Sequence, residues 1–428
     1  MLTSKLGRDF WLYRLGQFVS SLGDMCSTIA LAWWVLNKTG SGKAMAAIMA
    51  PAVIVKIMGG LLLGPTGDRL SRKKLVAGGN FLCAIASLCL AAMCYADHFN
   101  VAHILAISCL ASLGSAIFAS GSAALVASIV PSRHYHAAVA QTKLLGSISS
   151  ILGGVFGGVA VTCVGIGGAF AFDAVSFIVG GSAAVLISQD TVPQQDINAP
   201  KMKNAFSQWK KDFYSGVVFL WELKVILYIS LMLMAINLLL SPLAIILPIM
   251  VKTMQKMPPW YFGVLETSVG AGALIGAGLF SLIAKRASNA ATVLSGFLMI
   301  GGALLLLSWS AGLAAPVILL GCMGMGMTIA MIPLSSQAVI TIPDSFRSRF
   351  GATSSFLIDI SRPVGFVASG LMVDILGINF SLGLVGFGIV LLSPLMLLLP
   401  NFTAFINSKE GEASQAMKTW YPNAYNNV

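Results

Sequence analysis

The sequence predicts an all-α membrane protein of twelve transmembrane helices in two six-helix pseudo-repeats. Three observations support this fold class: an apolar composition, a regular series of apolar segments, and a likeness between the two halves of the chain. Hydrophobic residues make up 57% of the 428 residues and 10% are charged, and the mean hydropathy is +0.87. Soluble domains are about 45–50% apolar and about 25% charged, so the solvent of this chain is largely lipid.

The apolar segments follow one another at regular spacing. A bilayer core about 30 Å thick needs about 20 apolar residues per helix, and twelve segments fit: 10–36, 44–66, 75–96, 101–123, 137–163, 168–188, 223–251, 260–284, 289–311, 313–336, 350–373 and 377–400. This series predicts an N-terminal half (1–188), a cytoplasmic linker (189–222), a C-terminal half (223–400) and a cytoplasmic tail (401–428). The linker forms either a helix on the membrane surface or a plain solvated connection.

The basic residues predict the orientation of the chain. Twenty Lys and Arg residues lie in the even-numbered connections and the two termini, four lie on the opposite side, and Lys56 and Arg362 fall inside spans. Cytoplasmic loops are enriched in Lys and Arg, so both termini are expected in the cytoplasm. The net charge of +11 therefore reflects membrane topology, and we expect the lipid bilayer, not nucleic acid, as the partner.

The two halves echo each other around two prolines. Pro131 precedes basic residues and a helix rich in small residues, and Pro343 does the same about half a chain later. Small residues allow helices to pack closely in a membrane. Two parallel six-helix repeats with a pathway between them are an architecture that transporters use for alternating access.

The connection between the second and third spans carries a charged motif, GPTGDRLSRKK. An acid at the end of one helix faces basic side chains across a tight turn, a cluster that can latch helix ends together in one conformation. Ordinary positive-inside charges would explain the basic residues but not the acid. The latch residues are Gly64, Asp68, Arg69, Arg72 and Lys73. The motif resembles the signature loop of the major facilitator superfamily, with Ser71 where the family usually has glycine.

The resemblance extends over nearly the whole of both halves. The segments FWLYRLGQFVSSLGDMCSTIALAWWVLNKTGS, AFAFDAVSFIVGG and IPDSFRSRFGA are similar, in that order, to the drug- and siderophore-efflux branch that includes macrolide efflux proteins and the enterobactin exporter. This resemblance implies the superfamily fold, a bacterial inner-membrane location and export coupled to the proton gradient, with no cofactor.

Two further motifs predict structural roles. Gly153, Gly157 and Gly158 match a Gly-Pro-x-x-Gly-Gly pattern of proton-coupled exporters in the superfamily, and Gly154 stands where the pattern has proline. A glycine-lined face permits close contact in any membrane bundle, so helix packing follows more directly than antiport. Asp173 matches a family signature on a peripheral helix, and we expect it to be structural.

Ionisable residues inside the spans are the candidate functional groups, because a charge at mid-bilayer costs at least about 2.5–3.5 kcal/mol. Asp24, Glu266 and Asp359 are predicted to couple transport to protons, since carboxylates removed from water are suited to proton exchange. The alternative for two of them is a structural ion pair, Asp24 with Lys56 and Asp359 with Arg362.

Lys56 and Arg362 place one cation within an apolar helix of each half. They would attract an anion into the pathway, and Arg can bind a carboxylate through two parallel hydrogen bonds. We therefore predict that these two residues bind a substrate with carboxylates or similar groups. Gln17, Asn237 and Gln337 are expected either to line the cavity or to form interhelical hydrogen bonds.

The sequence therefore predicts a secondary active transporter that exports a small amphiphilic, anionic molecule, such as a siderophore or drug, by proton antiport. A monomer suffices, because the pathway lies between the halves of one chain. The alternatives are uptake of a siderophore or organic anion, flipping of a lysophospholipid, and a membrane receptor without transport. No nucleophile with a base, metal cluster or phosphate-cradling loop points to an enzyme.

Overall fold

A computed structural model describes residues 6–63, 70–131, 134–189, 205–342, 347–408 and 412–422. Within these ranges the secondary structure is helical, without strands. The bounds in chain order are α1 (Arg8–Thr39), α2 (Gly42–Leu63), α3 (Arg72–Tyr95), α4 (Val101–Ile129), α5 (Tyr135–Val185), α6 (Ala205–Glu222), α7 (Lys224–Leu240), α8 (Leu243–Ile249), a π-helical turn (Met250–Met254), α9 (Pro259–Ile283), α10 (Asn289–Trp309), α11 (Ala314–Thr341), α12 (Arg347–Asp359), α13 (Arg362–Leu376), α14 (Ile378–Leu395), a 3₁₀ turn (Met396–Leu398), α15 (Phe402–Asn407) and α16 (Glu412–Trp420).

Eleven helical stretches in the described ranges are long and apolar enough to cross a membrane, and one of them holds two spans. Helix α5 has 51 residues, more than twice the roughly 20 that a bilayer core requires. Gly165 interrupts it with φ 76° and ψ 176°, a conformation that glycine adopts at low cost because it lacks Cβ. The arms before and after Gly165 are therefore the fifth and sixth spans. The predicted twelve-span, all-α membrane fold class is confirmed.

Two of the spans are broken by prolines. The seventh is divided into α7 and α8 at Ser241–Pro242, and the eleventh is divided into α12 and α13 at Ile360–Ser361, just before Pro363. Proline lacks a backbone N–H, and its ring clashes with the preceding turn, so it interrupts a helix. The hydropathy pattern did not predict these breaks, because apolar residues continue through both of them.

The chain divides into two compact units. Unit 1 comprises Met1–Lys201, Ala244–Thr267 and Ser369–Leu371, and unit 2 comprises Met202–Leu243, Ser268–Ala368 and Met372–Val428. Unit 1 thus combines the first six spans with a segment from the seventh and eighth. The boundaries 1–188 and 223–400 stay a prediction about sequence repeats, since the units group residues by packing.

At one end of unit 1, α1 is anchored to the end of α5. Phe10 and Tyr13 of α1 are fully buried in an apolar cluster there. Beside them, the buried carboxylate of Asp9 accepts hydrogen bonds from the backbone N–H groups of Ser188 (3.0 Å) and Gln189 (3.1 Å). These N–H groups follow the last turn of α5, so Asp9 fixes the chain as it leaves the bundle. No motif in the sequence indicated this long-range contact.

The other end of α1 is held by two lysines. Lys38 forms an exposed ion pair with Asp97, with Nζ 2.6 Å from Oδ1, and its hydrogen bond and charge lower the pKa of Asp97. The contribution of this pair is therefore present at neutral pH and is lost as Asp97 becomes protonated in acid. Lys252, in the π-helical turn, donates a 2.5 Å hydrogen bond to the Leu36 carbonyl. Its ammonium thereby satisfies a carbonyl near the α1 C-terminus.

In unit 2, α10 packs against α11 and α14, while α6 packs against α7 and α12. Phe213 of α6 meets Phe356 of α12 edge to face, with ring centroids 5.9 Å apart. The described part of the predicted linker 189–222 is therefore mainly a helix packed on its neighbours, and not a plain solvated connection.

Candidate functional site

Helix α1 borders a polar cavity of about 230 Å³ inside unit 1. We call it the polar cavity, and it is lined by Arg14, Gln17, Ser20, Ser21, Asp24, Asn80, Cys83, Ser115, Phe118, Ser122 and Phe177. The α1 residues in this set recur every three or four positions, which places them on one helix face. Of these residues, Gln17 and Asp24 were candidates from the sequence. That face is a polar stripe in an apolar span. The helical spacing of these residues could have indicated the stripe from the sequence, but only Gln17 and Asp24 were singled out.

The same helix also borders an apolar cavity of about 210 Å³ in unit 1. We call it the apolar cavity, and it is lined by Thr28, Leu31, Ala32, Val35, Met45, Ile48, Met49, Ala244, Pro248, Phe262 and Glu266. Thr28 lies one turn beyond Asp24, and its Oγ1 donates to the Asp24 carbonyl at 2.8 Å. One turn of α1 therefore separates the lining of the polar cavity from the lining of the apolar cavity.

Asp24 lies at the middle of α1 and its side chain is exposed to open space in the bundle. The charges that act on it are the ammonium of Lys56 on α2 and the carboxyl of Asp173 on α5. All three groups also interact electrostatically with the thiol of Cys83 on α3. No direct ion pair joins Asp24 to Lys56 among the described residues, and the Lys56 side chain is itself exposed. Asp24 is therefore available to groups other than lysine.

Asp173 is buried between α3, α5 and α1, with 1% of its surface exposed. Its Oδ2 accepts a 2.6 Å hydrogen bond from the Ser87 hydroxyl. A Cβ added at Gly23 would lie 2.8 Å from the other carboxyl oxygen, Oδ1, so α1 closes over this group. Its surroundings fit the structural role expected from the sequence.

Replacing Asp173 with leucine is expected to destabilise the protein by about 1–3 kcal/mol, because the Ser87 hydroxyl would be left buried without its acceptor. Asp173→Asn keeps an oxygen acceptor in the same place and is expected to cost less. Thermal unfolding in detergent, followed by a thiol-reactive dye on the buried thiols of Cys26 and Cys83, compares the two variants. Equal unfolding temperatures for wild type and Asp173→Leu would contradict a structural role.

Glu266, on α9, is half-buried where that helix borders the apolar cavity. It is the one charged residue among the described residues that line this cavity. The other residues of the lining have apolar side chains except Thr28, and the Thr28 hydroxyl donates to the Asp24 carbonyl and not to this carboxylate. A carboxylate in such surroundings is a candidate for binding a cation or a proton.

In unit 2, three of the predicted site residues come together where spans seven and eleven are broken. Arg362 pairs with Asp359 at 3.7 Å between NH1 and Oδ1, across the gap between α12 and α13. The Asn237 side-chain amide lies 3.5 Å from both Asp359 Oδ1 and the Ile358 carbonyl. Transporters commonly use broken helices of this kind at their binding sites. The structural ion pair of Asp359 with Arg362, one of the two alternatives, is formed.

Gln337 lies away from both cavities. It is buried, with 4% of its surface exposed, and its amide nitrogen donates to the carbonyls of Phe405 (2.5 Å) and Ser408 (3.0 Å) and meets the Ser408 hydroxyl at 2.7 Å. Of the two alternatives for this residue, the placement favours interhelical hydrogen bonding over lining a cavity. Gln337 ties α11 to the segment that follows span twelve.

The glycine motif of α5 faces two helices in unit 1. A Cβ at Gly153 would lie 2.7 Å from the Met25 side chain and one at Gly157 would lie 3.0 Å from the Met25 backbone, both on α1. A Cβ at Gly158 would lie 2.8 Å from the Cα of Trp260 at the start of α9. The absent side chains therefore let the three backbones approach closely.

Thr267 of α9 adds a polar contact at this crossing. Its hydroxyl donates to the Ile151 carbonyl at 2.8 Å and accepts from the Val155 N–H at 2.9 Å. These are the two ends of one helical hydrogen bond of α5, so the hydroxyl inserts beside the helix ladder. Gly154 lies at the same point, where a Cβ would be 2.6 Å from Thr267 Oγ1. Glycine, and not the proline of the family pattern, therefore stands where Thr267 contacts α5. The sequence analysis did not predict this contact.

The predicted latch is described only in part. Gly64, Asp68 and Arg69 lie outside the described residues, as does Pro343 of the predicted repeat. Arg72 and Lys73 form the first turn of α3, and Lys73 Nζ donates to the Ile187 carbonyl at 3.3 Å. Lys73 therefore connects the start of α3 to the end of α5.

Comparisons with known proteins agree with this architecture. The uncharacterized MFS-type transporter YkuC of Bacillus subtilis (strain 168) is 24% identical over 293 residues, 65% of this chain and 65% of that protein, so the chain spans just under two thirds of its length. Macrolide efflux protein A of Streptococcus pyogenes is 18% identical over 372 residues, 86% of this chain and 90% of that protein. A POT family transporter in complex with 5-aminolevulinic acid shares the fold, with a TM-score of 0.75, 11% identity, and 94% and 99% of the two chains covered.

The superfamily suggested by the loop motif and by the order of segments is confirmed, with support for its drug-efflux branch. The sequence profile described as the Major Facilitator Superfamily matches residues 15–366, which is most of the chain and includes parts of both halves. The chain therefore belongs to the Major Facilitator Superfamily, and it is a multi-pass membrane transporter and not an enzyme.

Proposed function

We propose that this transporter exports a small amphiphilic molecule by proton antiport, and that the molecule binds in the apolar cavity. The observation that carries the proposal is an apolar cavity with a single carboxylate, Glu266, in its lining. Thr28 also lines this cavity, and it lies one turn of α1 beyond Asp24. Cavities that bind small molecules are mostly apolar with a few convergent polar groups. The name of the macrolide efflux relative supports export as the direction.

The ion pairs bear on the charge of the cargo. An anionic cargo was predicted from Lys56 and Arg362, and Arg362 is already paired with Asp359, while Lys56 acts on Asp24. Both cations therefore have an acid nearby. Glu266, by contrast, has no basic side chain beside it among the described residues that line the apolar cavity. This favours a cargo with a basic group over one with carboxylates, such as a siderophore.

In the proposed cycle the carboxylates exchange protons while the chain alternates between two conformations. Asp24 is the proposed main proton carrier because it lies at mid-helix and faces open space. In unit 2, Asp359 is proposed to exchange a proton as well, with Asn237 and Arg362 as its neighbours. The transporter is proposed to work as a monomer in the bacterial inner membrane, with both termini in the cytoplasm and the proton gradient as its energy source.

The test is transport in proteoliposomes with an imposed pH jump. Rhodamine 6G serves as a lipophilic cation and fluorescein as an amphiphilic anion, each followed by fluorescence after rapid dilution. We expect the cation to accumulate only when protons flow in the opposite direction. Accumulation with the proton gradient in the same direction would indicate uptake, and counterflow of neither probe in the wild type would count against the proposal.

Glu266→Gln removes the charge and preserves the shape of the side chain. We expect it to weaken counterflow of the cation at least severalfold, because an uncharged amide in an apolar cavity cannot balance the positive charge of the probe. Glu412→Gln changes the net charge by the same amount at an exposed residue outside the lining of the apolar cavity, and it is the control. Stronger transport of fluorescein than of rhodamine 6G by the wild type would support the anionic cargo instead.

A further inference from the structure

We propose that the polar cavity is a water-filled route between Asp24 and the cytoplasmic, Arg14 end of α1, by which protons leave Asp24, separate from the apolar cavity that takes the cargo. This inference rests on the proposed function, since the route discharges to the cytoplasm the proton that the antiport moves inward. It assigns a role to Arg14, Asn80 and Ser115, which the sequence analysis did not single out, and a specific role to Gln17, which was expected to line a cavity or to form interhelical hydrogen bonds.

The geometry of α1 gives the route its direction. Arg14 lies in the second turn of the helix and Asp24 at its midpoint, and ten residues of α-helix span about 15 Å. Gln17 and Ser20 occupy the same helix face between them. A continuous row of polar groups therefore leads from near one end of the helix to the carboxylate at its centre.

Two buried donors show that the cavity suits water. Arg14 Nε and Gln17 Nε2 are inaccessible atoms with no hydrogen-bond acceptor in the described part of the chain. Buried donors of this kind are normally satisfied by ordered water, and about 230 Å³ leaves room for several molecules. A Cβ at Gly180 would lie 3.1 Å from Asn80 Oδ1 and 3.5 Å from Gln17 Nε2, so this glycine keeps the space between them open.

The lining of the polar cavity suits proton transfer because four of its eleven residues carry hydroxyls. A serine hydroxyl donates and accepts at once, and the polar cavity offers Ser20 and Ser115. It also offers Ser21, which donates to the Gln17 carbonyl at 2.8 Å, and Ser122, which shares a 2.7 Å hydrogen bond with Tyr13; both oxygens can still accept from water. In the apolar cavity the hydroxyl of Thr28 is already committed to the Asp24 carbonyl, and the neighbouring side chains are apolar. Water chains to Asp24 are therefore favoured on the polar side.

Arg14 is the feature that weighs against a cation route, since an arginine in a narrow pore repels cations. Here its guanidinium lies 5.1 Å from the ring centroid of Tyr13 and 6.0 Å from that of Phe10, which draws its charge toward the aromatic side. The repulsion is also weak across a water-filled space. Arg14 therefore disfavours metal cations at the mouth, while protons can pass along hydrogen-bonded water.

The test fills the cavity without touching Asp24. Ser115→Leu inserts a bulky apolar side chain into the polar cavity, and Ser112→Leu makes the same change one turn earlier on α4, outside its lining. We expect Ser115→Leu to lose accumulation of rhodamine 6G driven by a pH jump and to keep counterflow without a gradient. Ser112→Leu is expected to keep both. Unchanged pH-driven accumulation in Ser115→Leu, or equal loss of both activities, would overturn the route.

A second measurement separates this inference from the proposed function. In a variant without native cysteines, Ser20→Cys is expected to react with the water-soluble, anionic reagent 2-sulfonatoethyl methanethiosulfonate, which Arg14 does not repel, and added Ser115→Leu is expected to suppress the reaction. This readout needs no transport, so it stands even if neither probe is carried. No reaction of the Ser20→Cys thiol, under conditions where the reagent labels an exposed thiol in an Asn379→Cys control, would show that water does not reach the cavity.

Discussion

Replacing Gly263 with leucine is expected to abolish transport while the protein still inserts into the membrane. A Cβ at Gly263 would collide with the Gly154 carbonyl oxygen and lie 3.1 Å from the Gly158 Cα, so the crossing of α5 and α9 in unit 1 could not form as it does. Overpacking costs about 1–3 kcal/mol, which shifts the balance between a conformation with this crossing and one without it by about 5- to 150-fold. A transporter that must visit both would stall in one.

Gly278→Leu is the matched control, because Gly278 lies on the same helix with no neighbouring atom within 4 Å of an added Cβ. Membrane-inserted protein is quantified first, and pH-driven accumulation of rhodamine 6G is then compared at equal amounts. We expect Gly278→Leu to transport like the wild type. Equal activity of Gly263→Leu and Gly278→Leu would show that the close crossing is not needed for the transport cycle.

Replacing Asp24 with asparagine is expected to reduce accumulation driven by a pH jump to the level of protein-free vesicles. The amide has nearly the same shape but cannot exchange a proton, so coupling is lost while the cargo cavity stays intact. Counterflow without a gradient is therefore expected to persist, and its dependence on pH to flatten. The measurement is accumulation and counterflow of rhodamine 6G over a series of external pH values.

Asp24→Glu retains the carboxyl and is expected to restore part of the driven transport. Asp173→Asn serves as a second control, since it alters the neighbouring acid that packs against Ser87 without facing the polar cavity. Driven accumulation that survives in Asp24→Asn would transfer the coupling role to Glu266 or Asp359. Loss of counterflow as well as driven transport would instead indicate that Asp24 binds the cargo.

Some of the candidate site followed from sequence because the relevant property is local. Asp24 and Glu266 were found as isolated charges in apolar spans, where the cost of burial marks them out, and both border cavities. The pair of Asp359 and Arg362 could be foreseen from their spacing of three residues, although the break between α12 and α13 that they bridge could not. Gln337 was expected either to line the cavity or to form interhelical hydrogen bonds, and the sequence could not indicate its partners because they lie in a distant segment.

Other parts of the site depend on residues far apart in the chain. Thr267 contacts Ile151 and Val155, and Asp9 reaches the backbone of Ser188; neither pair shares a motif. The polar cavity likewise assembles side chains from α1, α3, α4 and the second arm of α5. Serines scattered among apolar residues are common in membrane helices, so single serines gave no reason to expect a polar cavity.

By itself the sequence determined that this protein is an all-α, twelve-span transporter of the Major Facilitator Superfamily, because hydropathy and motif spacing are written in consecutive residues. Tertiary structure alone decided which charges are already paired and which face a cavity. Arg362 is neutralised in part by Asp359, whereas Glu266 borders an apolar space. The physical reason is that the cost of a buried charge is set by its neighbours in space, and in a helical bundle those neighbours come from other helices.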